Sequence, residues 1–80
     1  MLENDTYRVK DLYLAAFIYS QQKELISIER DGGICWFIFA NKDSCEELSK
    51  LYWSRKARLD DAKSFSDSIR SLKDLIFAQK

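Results

Sequence analysis

Runs of apolar residues recur along this chain with spacings that separate helix from strand. Between Lys10 and about Gln22, the residues Leu12, Tyr13, Leu14, Ala15, Ala16, Phe17, Ile18 and Tyr19 follow one another without a polar break, and the central alanines predict a helix. A helix that is apolar on nearly every side has to be covered from more than one direction. Glu24 to Arg30 and Ile34 to Ala40 are instead rich in β-branched and aromatic residues and flank Asp31, Gly32 and Gly33, which predicts a β-hairpin. Either Asp31 with Gly32 or Gly32 with Gly33 can supply the positive φ angles of a tight turn, and both choices leave the faces unchanged. Ile26 and Ile28 then join Cys35, Phe37 and Phe39 on a core face, while Leu25, Ser27 and Glu29 share the second face with Ile34, Trp36 and Ile38.

A second helix is predicted to start between Asn41 and Ser44, where Ser44 and Glu47 match a capping box, and to run to about Arg55 with Cys45, Leu48 and Tyr52 on one stripe. A third begins at Asp60 or Asp61 and carries Phe65, Ile69, Leu72 and Ile76 as a single seam, opposite a charged stripe of Lys63, Asp67, Arg70 and Asp74. The expected fold class is α+β, in the order α-β-β-α-α, with helices packed on one face of the antiparallel hairpin. Two strands make a marginal sheet. A third strand from Tyr7 to Val9 or from Ala57 to Leu59, or a second hairpin across a dimer axis, would complete it. The 80 residues are expected to form a single domain, 1–80, with a flexible start over 1–6.

The stretch Tyr7 to Ala16, the turn Glu29 Arg30 Asp31 Gly32 Gly33 ahead of an aromatic strand, and Leu72 Lys73 Asp74 Leu75 Ile76 together resemble a family of short uncharacterised bacterial and phage-associated proteins. The resemblance spans about Tyr7 to Phe77. It implies a prokaryotic or phage origin and a cytoplasmic setting, and it brings no catalytic or binding residue with it.

Composition removes several functions. The chain has 13 basic and 13 acidic residues and no histidine, so the commonest general base is missing. No Cys-x-x-Cys or histidine-containing metal spacing occurs, and a strand follows Gly32 and Gly33 where a phosphate loop needs a helix. Cys35 and Cys45 are expected to be reduced, buried thiols. The adjacent carboxylates Glu46 and Glu47, or Asp60 and Asp61, would point apart on a helix. The expectation is therefore no enzyme, no cofactor and no metal. The longest apolar run, Leu12 to Tyr19, is too short to span a bilayer, and the acidic residues near Met1 argue against a basic leader; the expected location is the cytoplasm.

Two surfaces remain. The first is the second face of the hairpin, where Leu25, Trp36 and Ile38 form a candidate protein interface; it suggests a small interaction or regulatory module that self-associates as a homodimer. The alternative is nucleic acid: Lys50, Trp53, Arg55, Lys56 and Arg58 fall in a segment, 50–58, with four cations and no acid, suited to phosphates and base stacking. Helical geometry weakens it, because Lys50 and Arg55 would lie roughly 140° apart around the axis.

Overall fold

The structure, a computed structural model, describes residues 5–59 and 61–78. Its elements are β1 (Thr6–Val9), α1 (Leu12–Ser20), β2 (Leu25–Asp31), β3 (Ile34–Ala40), α2 (Lys42–Trp53) and α3 (Ala62–Ala78). The fold is α+β as the patterning predicts, and the third strand is Thr6–Val9, which pairs with β3 rather than with its sequence neighbour. Ala57 to Leu59 form no strand. The antiparallel sheet has the order β1-β3-β2, so β3, the most apolar strand, is central and the other two are edges. Residues 1–4 and Asp60 lie outside the described residues, and with them most of the expected flexible start and one of the two expected starts of the third helix.

Gly32 and Gly33 form the hairpin turn, with φ of 58° and 87°, and Asp31 pairs with Ile34 across it. Positive φ at both turn residues is the requirement of a type I′ turn, which matches the twist of the flanking strands. From there the pairing is regular to Ser27 opposite Ile38, and then it slips: Leu25, not Ile26, faces Phe39. Ile26 is an extra residue in a β-bulge. The slip corrects the predicted faces. Leu25 packs against the core, whereas Ile26 is 49% exposed.

One face of the sheet, formed by Val9, Ile28, Phe37 and Phe39, meets Leu14, Ala15, Ala16 and Ile18 of α1, Cys45 of α2 and Leu72 of α3 in one core cluster. The apolar α1 lies between this face, α2 and α3, which buries Leu14 through Ile18 without a gap. The chain thus covers most of its most apolar helix by itself, with Tyr13 left 53% exposed. Phe65, Ile69 and Ile76 of α3 and Leu48 and Tyr52 of α2 pack around the cluster as the two predicted stripes require.

The caps fix the helix ends. Asp11 accepts hydrogen bonds from the Tyr13 and Leu14 amides at 2.9 and 3.0 Å, turning the chain from β1 into α1. At α2 the predicted capping box does not form: Asn41, in the left-handed region at φ 67°, accepts from the Ser44 amide, which places Ser44 inside the first turn. Asn and Ser are comparable caps, but Asn tolerates the left-handed corner that leads out of β3.

Candidate functional site

Alternation along β1 places Tyr7 and Val9 toward the helices and Thr6 and Arg8 on the outer face of the sheet, and Lys10 follows just past the strand's end. Arg8 pairs with Ile38 on β3, and its guanidinium carbon lies 4.4 Å from the centre of the Trp36 ring. The Lys10 ammonium is 5.9 Å from the same centre. Two cations, one on β1 and one just past its end, therefore lie over one tryptophan, within the range where the ring quadrupole attracts a cation.

On the other side of β1, α2 delivers Ser49 and Trp53, one turn apart on the same stripe. Trp53 is 62% exposed yet braced from within: its ring meets Tyr52 edge-on at 5.1 Å, and Tyr52 leans on the buried Phe17 at 6.0 Å. Between these walls runs a cleft of about 310 Å³, lined by the five consecutive residues Tyr7 to Asp11 together with Leu14, Trp36, Ser49 and Trp53. Neighbouring strand residues point to opposite faces, so a cleft touching Tyr7, Arg8 and Val9 together follows the edge of β1, and it continues past the strand's end to Lys10 and Asp11. Its walls are Trp36 with the two cations on one side and Trp53 with Ser49 on the other.

The cleft is net positive, with Arg8 and Lys10 against the single carboxylate of Asp11, which accepts from the two amides that begin α1. Among the described residues the one ion pair is Lys63 with Asp67 on α3, so neither Arg8 nor Lys10 has a carboxylate partner there.

The predicted interface residues separate. Leu25 turns toward the core through the bulge, Ile38 is only 7% exposed, and of the three Trp36 lines the cleft beside β1. The predicted basic segment separates too. Trp53 reaches the cleft, whereas Lys50, Arg55, Lys56 and Arg58 are exposed but do not line it. Past Trp53 the chain leaves the helix through a Schellman turn: the Arg55 amide donates to the Tyr52 carbonyl, the Lys56 amide donates to that of Leu51, and Arg55 sits at φ 63°. Tyr7, Arg8 and Lys10 are the site residues that sequence reasoning misses. Two cations at i and i+2 in an extended stretch were the available signal.

Nucleophilic chemistry finds little support. Cys45 is buried and its thiol donates to the Ala40 carbonyl at 3.4 Å; burial raises its pKa, the negative charge of Asp5 adds to the rise, and Lys23 opposes it. Burial also raises the pKa of Tyr52, helped by Asp11 and Tyr13 nearby. Among the described residues no three acidic, cysteine or histidine side chains gather as metal ligands, and no helix is long and apolar enough to cross a membrane.

No family model, curated protein or solved structure matches this chain.

Proposed function

We propose that this protein is a small non-enzymatic interaction module that grips an extended segment of a partner protein in the cleft along β1. The observation that carries this reading is the course of the cleft, which follows a strand edge between two tryptophans. Aromatic side chains supply large contact area at small entropic cost and recur at the energetic centres of protein interfaces. The experiment is selection of linear peptides from a random library on the immobilised protein, with each enriched peptide then titrated against the Trp36 and Trp53 fluorescence. Enriched peptides should shift the emission saturably and lose binding to Trp53→Ser, which removes an exposed ring without touching the core. Enriched peptides that bind Trp53→Ser unchanged would refute the cleft as their site.

A nucleic-acid reading is favoured by one observation, the shared position of Trp53, Trp36, Arg8 and Lys10, since stacking rings beside cations suit a single strand. The divergence of Lys50, Arg55, Lys56 and Arg58 from the cleft counts against that reading. Homodimerisation through Leu25, Trp36 and Ile38 would now rest on Trp36 alone. A dimer in light scattering that Trp36→Glu dissociates would restore it.

A further inference from the structure

We propose, building on the reading of the cleft as a site for extended segments, that its occupant is an acidic peptide that joins the sheet as a fourth strand beside β1. In an antiparallel ladder every second residue directs both its N–H and its C=O away from its partner strand. The ladder partner of β1 is β3, and among the described residues no hydrogen bond reaches the other edge of Thr6 to Lys10. That edge is regular along its length, without the bulge that disrupts β2. It is a template for strand addition, in which main-chain bonds supply affinity and alternate side chains supply specificity.

The side chains on either side set the chemistry of the guest. A strand laid along Tyr7 to Asp11 covers roughly 13 Å, about five residues. On the outer face its residues at i and i+2 would stand beside Arg8 and Lys10, which are already aligned by Trp36 and lack a carboxylate partner among the described residues. Carboxylates two residues apart match them. On the inner face the intervening residues meet Leu14, Ser49 and Trp53, where apolar side chains fit. The guest is thus an alternating acidic and apolar strand. Pairing of β1 with β1 of a second copy would set Arg8 and Lys10 against their own kind, which disfavours that occupant.

The test is titration of the tryptophan fluorescence of the full chain with acetyl-Val-Glu-Val-Glu-Val-amide, its Lys-for-Glu counterpart, and two forms of the acidic peptide N-methylated at either alternate set of residues. Saturable binding of the acidic peptide is expected, with the lysine peptide weaker by about tenfold or more. One N-methylated form should lose binding while the other keeps it, because only alternate amides face the host strand. Arg8→Glu with Lys10→Glu should reverse the charge preference, with folding checked by far-UV circular dichroism. If that variant does not fold, the N-methylated peptides on the unaltered protein decide alone. Binding indifferent to the methylation set overturns strand addition, and binding indifferent to charge overturns the acidic guest; both leave the cleft as a peptide site. Failure of every peptide here and in the library removes the cleft reading as well. Single-stranded DNA that shifts the fluorescence where no peptide does would overturn the proposal in favour of nucleic acid. Self-association lost in Glu29→Lys with Asp31→Lys would overturn it in favour of the β2 edge of a second copy.

Discussion

The two edges of this sheet flank the same central strand and are built in opposite ways. The β2 edge is seven residues long, carries Glu29 and Asp31 on its outer face and is broken by the bulge at Ile26, beside which Leu75 of α3 is also exposed. The β1 edge is four residues long, regular, basic on its outer face and bordered by the cleft. An exposed edge invites pairing with any extended chain, and proteins blunt it with bulges, charge or cover. Here one edge is blunted by backbone geometry. The other is kept regular and given two tryptophans and two cations that lack a carboxylate partner among the described residues, the arrangement of an edge that selects its partner.

The largest expected effect comes from removing what the two edges share. Phe39 is fully buried and stands between Tyr7 on β1 and Leu25 on β2, so Phe39→Ala opens a cavity under both strands at once. A loss of about 3–5 kcal/mol is expected in urea denaturation, enough to unfold much of a domain this small. A loss under about 1 kcal/mol would mean that the edges fold independently of the centre.

The next effect isolates the β1 side. Asp11→Ala removes the acceptor of two amide hydrogen bonds at the corner where β1 becomes α1, and a cost of about 1 kcal/mol is expected from the same measurement. The variant also removes the one carboxylate of the cleft. Affinity for the acidic peptide should therefore rise relative to the unaltered protein even as stability falls, an opposition that a purely structural Asp11 would not produce.

How much of this was legible in the sequence follows from the range of the interactions involved. The hairpin turn, the stripe of α2 and the seam of α3 depend on neighbours within a few residues, and spacing alone shows them. The bulge does not show, because Leu25 and Ile26 are both apolar and either could face inward; the choice is made by how β2 meets Phe39. Asn41 and Ser44 could each cap α2, and the left-handed exit from β3 decides between them. The cleft was hardest to see. It joins Arg8, Trp36 and Trp53 across separations that only the insertion of β3 between β1 and β2, and the docking of α2 beside β1, bring together.

A smaller effect sharpens the contrast between the edges. Deleting Ile26 places Leu25 directly before Ser27, which keeps both residues opposite their present partners, Phe39 and Ile38, and restores an unbroken ladder. Stability should change by less than about 1 kcal/mol, since the deleted side chain is half exposed and the core residues keep their places. Solubility should fall instead: a flat, regular β2 edge is a better template for self-pairing, visible as concentration-dependent mass in light scattering. An equally monodisperse deletion variant would show that the bulge does not protect that edge.

The smallest effect lies just beyond Trp53, the wall of the β1 cleft. Arg55 occupies the left-handed position of the Schellman turn at φ 63°, where glycine is the usual residue because a Cβ crowds the following carbonyl. Arg55→Gly relieves that strain but adds conformational freedom to the unfolded chain, so a net gain of only about 0.5 kcal/mol is expected. Arg55 does not line the cleft, and acidic-peptide affinity should stay unchanged. A nucleic-acid surface over 50–58 would respond differently, losing a phosphate contact and with it part of the salt dependence of binding. One substitution thus separates the two edges from the basic segment: peptide binding that survives Arg55→Gly, in a protein that has become slightly more stable, assigns recognition to β1 and leaves Arg55 as the end of a helix.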